Sequence, residues 1–167
     1  MIAGELEKFQ LGWCSTKGED LFDFVRGVTF NKSESTDQPS PGFIGVLRAG
    51  NLQDGIIIYE DLVYVPANNV KDIQLINKFD LIIAMSSGSK KVVGKVSFVQ
   101  KDNPEIAFGA FCGLLRPKNR YIGVWLKHFF QTNAYRYHIS ETAAGVNINN
   151  LKKEHFFALN FPLPPVN

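Results

Sequence analysis

Residues 79–99, FDLIIAMSSGSKKVVGKVSFV, contain two apolar segments separated by a polar loop of serine, glycine and lysine. The segments at 80–85 and 92–99 are rich in β-branched and aromatic residues, which favour strands over helices. The stretch therefore predicts two strands joined by a polar loop, and so a protein built on a sheet.

The polar loop has three interpretations. A nucleotide-binding loop needs glycine, four residues and Gly-Lys-Ser/Thr between a strand and a helix. Here five residues separate Gly88 from Gly94, and Val96 stands where the magnesium-binding hydroxyl should be. Because a strand is predicted to follow the loop, no helix N-terminus would face the phosphates, which argues against an NTPase. A solvated hairpin turn and a loop that grips nucleic-acid phosphates both remain open.

Length and composition indicate a soluble globular protein. The chain has 167 residues, of which 45% are hydrophobic and 20% are charged, so we expect a single domain over 1–167 that folds without metal or disulfide. The net charge is only +2. Any binding to nucleic acid must therefore come from a local basic patch.

Cysteine usage and hydropathy bear on location. Cys14 and Cys112 are far apart in a sequence with no recognisable apolar leader, which favours free buried thiols in a reducing compartment. Because the longest apolar runs are strand-sized, we expect no contact with a membrane. The predicted location is cytoplasmic.

The order of elements predicts the fold class. Turn-forming residues at 31–42 and 145–150 and changes of hydrophobic period divide the chain. The predicted elements are a helix at 19–25, strands at 43–47, 56–59, 62–66, 80–85, 92–99 and 106–115, a helix at 121–137, a helix at 151–157 capped by Asn150, and an extended end at 161–165. This pattern predicts an α+β fold with a curved, mainly antiparallel sheet and a few packing helices. The large aromatic residues expected in its core are Trp13, Phe24, Trp125 and Phe129.

Residues for catalysis are not evident. The three histidines lack the spacing of metal ligands. A DNA amino-methyltransferase needs an Asn/Asp-Pro-Pro-aromatic tetrad, whereas this chain has Leu163-Pro-Pro-Val166. The carboxylates Asp80 and Glu105 are not placed together by the sequence, as a metal-dependent nuclease would require. We therefore assign no catalytic residue, metal ligand or cofactor.

Several short segments form an ordered series along nearly the whole chain. They are Gly27-Val-Thr-Phe-Asn-Lys32, Leu47-Arg-Ala-Gly-Asn-Leu-Gln-Asp-Gly55, Phe79-Asp-Leu-Ile-Ile-Ala-Met-Ser-Ser-Gly-Ser89, Val92-Val-Gly-Lys95, Gly109-Ala-Phe111, Ile148-Asn-Asn-Leu151 and Phe161-Pro-Leu-Pro-Pro165. In order and spacing they resemble a target recognition domain from the specificity (S) subunit of a type I restriction-modification system.

The resemblance implies a non-catalytic reader of double-stranded DNA. In that family two such domains, joined by long helices, each read one half of a split target. The methyltransferase (modification) and restriction subunits are separate polypeptides, and both are implied partners. An alternative is the recognition part of a single-chain restriction-methylation enzyme whose catalytic region is missing.

The chain departs from the family pattern after Pro165. The family continues from this point into a long coiled-coil helix, whereas this sequence stops at Asn167. We therefore expect an isolated first recognition domain, either an engineered fragment or part of a shortened half-subunit.

Candidate DNA contacts follow from side-chain chemistry. Arginine can pair with guanine, and asparagine or glutamine with adenine, through two hydrogen bonds. Arg48, Asn51 and Gln53 share one polar turn and meet this requirement. The alternative is a structural turn in which Arg48 pairs with a nearby acid.

Hydroxyl and lysine side chains suit phosphates, which fix the position of a protein on DNA. We assign this role to the loop residues Ser86, Ser87, Ser89, Lys90 and Lys91, with Lys95 in the following strand. Further candidates are Thr29, Asn31 and Lys32, which open the polar loop, and Tyr135 and Arg136, which end the long amphipathic helix. The alternatives are a disordered loop for the first three and packing on the sheet edge for Arg136.

Overall fold

The structure, a computed structural model, describes residues 12–53, 55–145 and 150–165. Its strands are β1 (Cys14–Lys17), β2 (Phe22–Arg26), β3 (Phe43–Leu47), β4 (Leu52–Gln53), β5 (Ile56–Ile57), β6 (Val63–Pro66), β7 (Leu81–Ala84), β8 (Val96–Phe98), β9 (Ile106–Phe108), β10 (Cys112–Pro117) and β11 (Asn160–Leu163). Its α-helices are α1 (Gly18–Leu21), α2 (Arg120–Phe129), α3 (Asn133–Gly145) and α4 (Lys153–Phe157). Single 3-10 turns are formed by Lys32–Glu34, Ala49–Asn51, Ala67–Asn69 and Asp72–Gln74.

The predicted α+β class with mainly antiparallel pairing is confirmed, although in the described residues the strands are divided among several sheets. The largest has the order β2-β10-β7-β8 and is antiparallel throughout. A second has the order β6-β3-β9, in which β3 and β9 are parallel. The pairs β1-β11 and β4-β5 complete the set. None of the helices described is long and apolar enough to cross a bilayer.

Strand β7 lies at the centre of the fold and is buried on both faces. Leu81 and Ile83 pack into one hydrophobic cluster, whereas Ile82 and Ala84 pack into another. Successive side chains of a strand point to opposite faces, so β7 joins two cores that lie on either side of the largest sheet. This double burial explains why the sequence at 81–85, within the strand predicted at 80–85, is continuously apolar.

A partly buried ion pair joins the start of β7 to the end of β10. The Asp80 carboxylate accepts hydrogen bonds from Nε and Nη2 of Arg116 at 3.0 and 2.7 Å and from the backbone N–H of Asn77 at 2.8 Å. Arg116 also donates to the carbonyl oxygens of Ile73 and Leu75. The pair therefore ties the largest sheet to the 3-10 turn at 72–74.

Several predicted boundaries were wrong. The strand predicted at 106–115 is two strands, β9 and β10, which a turn at 109–112 separates and which pair in different sheets. The predicted helix at 19–25 is a single helical turn, α1, after which the chain enters β2 and pairs with β10 from Phe22 to Arg26. The predicted strand at 92–99 begins only at Val96, since residues 90–94 form turns and Gly94 has a φ of +76°. Glycine tolerates that left-handed backbone without strain.

The predicted helix at 121–137 is interrupted after Phe129. The hydroxyl of Thr132 accepts a hydrogen bond from the N–H of Tyr135 and so caps a new helix, α3. At the other end of the chain Asn150 forms a bridge with Ser86, and Lys152 is the residue at the start of α4. The predicted cap by Asn150 was therefore wrong, and most of the turn predicted at 145–150 lies outside the described residues.

The aromatic core is built mainly by α2 and β11. Phe129 packs on Phe161 with ring centroids 4.6 Å apart, and Trp125 stacks on Phe129 at 5.3 Å. Phe24 also packs against this core, as predicted, but Trp13 is 40% exposed and the prediction for it was wrong.

Both cysteines are free thiols, but only one has the predicted burial. Cys112 is buried in β10, and burial raises its pKa to about 12. It therefore stays protonated at neutral pH. The expectation that both thiols are buried was wrong for Cys14, which is exposed on β1.

Replacing Asp80 with asparagine should destabilise the fold strongly. Asp80→Asn leaves the Arg116 guanidinium without its counter-charge in a partly buried site, and we expect the free energy of unfolding to fall by about 3 kcal/mol. Urea denaturation measures this change. The matched control is Glu105→Gln, which alters an exposed carboxylate and should change stability by less than about 0.5 kcal/mol. Equal effects from the two variants would contradict a stabilising role for the ion pair.

Candidate nucleic-acid interface

Two of the predicted segments, far apart in sequence, meet across one cleft, which we call the first cleft. It has a volume of about 590 Å³. It is lined by Arg48, Ala49, Gly50, Asn51, Ile58, Glu60, Asp61, Ser86, Ser87, Gly88 and Phe111. The turn predicted to read bases thus forms one wall, and the start of the loop predicted to bind phosphates forms another.

Asn51 builds the wall that carries Arg48. Its Oδ1 accepts from the backbone N–H of Arg48 at 2.8 Å, and its Nδ2 donates to the carbonyls of Ile58 and Glu60 at 3.1 and 2.8 Å. Because these bonds close the chain from 48 to 60 into a compact loop, the side chain is only 6% exposed. The prediction that Asn51 reads bases is therefore corrected, since its amide is already used inside the loop.

Arg48 is exposed at this wall, and Gln53 is exposed nearby in the chain. Nη2 of Arg48 donates to the carbonyl oxygen of Asp61 at 2.7 Å, and among the described residues no acidic side chain pairs with the guanidinium. Its remaining donors can still meet a base edge. Gln53 lies on β4, outside the lining of the first cleft.

The opposite wall begins where β7 ends. The N–H groups of Met85 and Ser86 both donate to the carbonyl oxygen of Phe111, at 2.9 and 3.1 Å, and fix the exit of the loop from the sheet. Ser86 and Ser87 are half-buried in the cleft wall. Beyond them the exposed residues Ser89, Lys90 and Lys91 form turns outside the lining of the first cleft.

Helix α3 holds the far end of this loop. The hydroxyl of Tyr135 donates to the carbonyl of Gly94 at 2.9 Å, and Tyr135 is only 2% exposed. Nη1 of Arg136 donates to the carbonyl of Val93 at 3.3 Å, and Nη2 donates to that of Lys91 at 3.5 Å. The prediction that Tyr135 meets DNA is corrected, because its ring is core and its burial raises the pKa of the hydroxyl. Arg136 contacts the loop that presents the lysines.

A second cleft of about 630 Å³ lies beside the same loop. Its lining residues are Phe24, Arg26, Gly27, Thr29, Met85, Ala110, Cys112, Asn150, Leu151, Lys152, Lys153 and Glu154. The bridge between Ser86 and Asn150, and the bond from the N–H of Leu151 to the carbonyl of Met85, attach its far wall to the loop. Thr29 is therefore in a cleft. Asn31 and Lys32 lie on an exposed 3-10 turn outside both linings.

The two clefts differ in charge. The first has one cation, Arg48, with two acids, Glu60 and Asp61. The second has Arg26, Lys152 and Lys153 against a single acid. Mixed donors and acceptors suit base edges, whereas a cationic rim suits phosphates. Within the part of the chain that the structure describes, no three His, Cys, Asp or Glu side chains are grouped to hold a metal ion.

Sequence reasoning gave no role to Phe111 or to the acids Glu60 and Asp61. Phe111 was noted only as part of the Gly109-Ala-Phe111 segment, and it lines the first cleft with 69% of its surface exposed. The acids reach the cleft because Asn51 folds the loop from 48 to 60 back on itself. Nothing in the sequence Gly109-Ala-Phe111 indicates that the phenylalanine side chain is exposed.

A mixed α+β domain with two clefts beside one loop agrees with a DNA specificity domain. Residues 10–167 match the family described as the type I restriction modification DNA specificity domain, and the chain belongs to that family. The chain is 42% identical over 166 residues to the type I restriction enzyme EcoKI specificity subunit of Escherichia coli K12. It is 41% identical over 157 residues to the StySPI specificity subunit of Salmonella potsdam.

The matches cover 99% and 94% of this chain but only 35% and 34% of those two relatives, so the chain spans about a third of their length. Among solved structures it resembles the HsdS subunit from Thermoanaerobacter tengcongensis, with a TM-score of 0.67 over 95% of this chain and 35% of that one. A chain from a type I R-M system, solved to explain complex assembly and conformational transition, gives a TM-score of 0.68 over 95% of this chain and 36% of its own length. Both are 15% identical to it and support the fold.

Replacing Asn51 should lower the stability of the fold rather than act directly on ligand binding. Asn51→Ala removes the partner of three backbone groups, and we expect the free energy of unfolding to fall by about 1–3 kcal/mol, measured by urea denaturation. Asn68→Ala is the matched control, because Asn68 is exposed on a similar 3-10 turn and should change stability by less than about 0.5 kcal/mol. An Asn51→Ala variant as stable as the parent would restore the base-reading interpretation.

Proposed function

We propose that this chain, as a single domain over residues 1–167, reads one half of a bipartite DNA target and has no catalytic step of its own. In this proposal it positions separate methyltransferase and restriction subunits on the chosen sequence. The observation that carries the proposal is the first cleft: in a chain of the DNA specificity family, Arg48 and the Ser86-Ser87 pair converge there from distant segments.

The first cleft has the chemistry of direct base readout. Free donors of Arg48 match the two acceptors of guanine, and the carboxylates of Glu60 and Asp61 match the amino donor of cytosine. Ser86 and Ser87 can serve either a base or a phosphate, since a hydroxyl both donates and accepts. Arg48 is held at one point by the Asp61 carbonyl, so less side-chain freedom is lost when it binds a base.

The Ser-Lys loop supports binding that is independent of sequence. Ser89, Lys90 and Lys91 are exposed, and Tyr135 and Arg136 hold the backbone behind them. A loop held in this way presents positive charge to the phosphates at little entropic cost. We keep Thr29, Asn31, Lys32 and Gln53 as further candidate contacts because all four are exposed.

The partners are proposed from the relatives. Both are specificity subunits of type I restriction enzymes, and this chain corresponds to about a third of each. We therefore propose that methyltransferase subunits dock through parts of the longer protein to which such a chain belongs. The same relatives do not favour the alternative of a single-chain restriction-methylation enzyme.

A domain exchange tests the proposed function. Residues 1–167 replace the matching segment of the Escherichia coli specificity subunit, and the hybrid is co-expressed with the methyltransferase subunits of that system. Sequencing that detects methylated bases should reveal a bipartite motif with one half changed and the other retained, because each recognition domain reads its own half. The unmodified subunit is the control. Assembly of an active complex that methylates the original motif would overturn the proposal.

Removing the exposed lysines should weaken binding without altering the target. In the hybrid complex we expect Lys90→Ala and Lys91→Ala to lower affinity for target and non-target duplexes alike. Each should also reduce the slope of log K against log salt concentration by about 0.9, because one phosphate contact is lost. Lys101→Ala, at an exposed lysine outside both clefts, is the matched control. A changed sequence preference in either lysine variant would contradict the assignment to phosphates.

A further inference from the structure

Phe111 is a large apolar side chain held outside the core by a turn with a fixed backbone. It is 69% exposed, yet its carbonyl accepts from both Met85 and Ser86, and the N–H of Cys112 closes the turn on Gly109 at 2.8 Å. Single exposed apolar residues are common and need no explanation by themselves. The exposure of Phe111 does need an explanation, because Phe111 lies in the candidate interface.

The turn from 109 to 112 contacts both the end of β3 and the segment that follows β2. The N–H of Gly109 donates to the carbonyl of Leu47, at the end of β3, at 2.8 Å. After β2, Gly27 approaches so closely that a Cβ at that position would lie 2.1 Å from the Gly109 oxygen. Only glycine fits such a contact. Phe111 is thus presented on rigid backbone, as a specificity-determining side chain requires.

The turn lies between the two clefts. Ala110 lines the second cleft and Phe111 lines the first. Arg48 stands in the first cleft, and Arg26, Lys152 and Lys153 stand in the second. An apolar ring is therefore flanked on both sides by groups that bind anions or polar edges. A DNA groove offers the complementary pattern, because thymine methyl groups, and base faces where a step is unstacked, lie between two phosphate backbones.

We infer that Phe111 makes an apolar contact with the bases of the target half-site, and that the DNA surface continues past it to the cationic rim of the second cleft. This inference rests on the proposed function and adds a specificity-determining residue to it. On binding, the Phe111 ring is removed from water by packing against base edges or a base step. The strength of this contact therefore depends on the base sequence in the groove. It neutralises no phosphate and releases no counterion.

The test uses the hybrid complex from the domain exchange, after its target has been mapped. Binding is measured to a duplex with the mapped half-site and to one in which that half-site is scrambled, over a range of salt concentrations. Phe111→Ala should weaken target binding by roughly 10-fold or more, leave non-target binding unchanged, and leave the salt slope unchanged. Phe111→Leu keeps part of the apolar contact and should fall between Phe111→Ala and the parent.

The control is Tyr121→Ala, which removes an aromatic ring that is 72% exposed on α2 and lies outside both clefts. It should bind both duplexes as the parent does. Equal losses on target and non-target DNA in Phe111→Ala would overturn the base contact. So would binding identical to that of the parent, or loss of assembly with the methyltransferase subunits while DNA binding is retained.

The two hypotheses fail in different experiments. A parent hybrid without a new half-site motif refutes the proposed function before any Phe111 variant is made. A parent hybrid with a new motif, combined with an unaffected Phe111→Ala variant, refutes only the inference about Phe111.

Discussion

The partly buried ion pair of Asp80 and Arg116 sets the alignment on which the interface depends. Both faces of β7 are buried, so a one-residue slip against β10 would still place apolar side chains in apolar surroundings, and the hydrophobic pattern specifies the register only weakly. A bidentate ion pair tolerates no such slip, because one charge would be left buried without its partner. The register of β7 against β10 that the ion pair fixes also holds at the other end of these two strands. There the backbone N–H of Ser86 donates to the carbonyl of Phe111.

The interface itself is held by side chains whose polar groups bond to the backbone. Asn51 closes the loop that presents Arg48, while Tyr135 and Arg136 hold the turn before β8 that follows the lysines. In each case a polar side chain satisfies backbone groups of an irregular segment, which would otherwise lose hydrogen bonds on leaving water. In loops held in this way, the exposed residues can be substituted without loss of the underlying fold. This division suits a domain whose task is to select a sequence.

In the function proposed above, the two clefts divide base readout from phosphate binding. A mixed set of donors and acceptors in the first cleft would discriminate between base edges, while the cations of the second cleft and of the Ser-Lys loop would attract any duplex. Phe111 stands at the boundary, where an apolar contact can add selectivity without adding charge. Because the net charge of the chain is only +2, nonspecific attraction stays local. Discrimination then depends on the fit in the first cleft.

The sequence by itself determined the α+β class, the central strand and the family, because continuous apolar runs, turn residues and ordered short segments are local features. It also placed Arg48 and Ser86 in polar loops, since turn-forming residues are read directly from the chain. Only the tertiary structure decided that Asn51 and Tyr135 are structural, and that Phe111 is exposed beside both clefts. Burial depends on which distant segments pack together: Asn51 is enclosed by the chain at 58–60, and the carbonyl of Gly94 receives the hydroxyl of Tyr135.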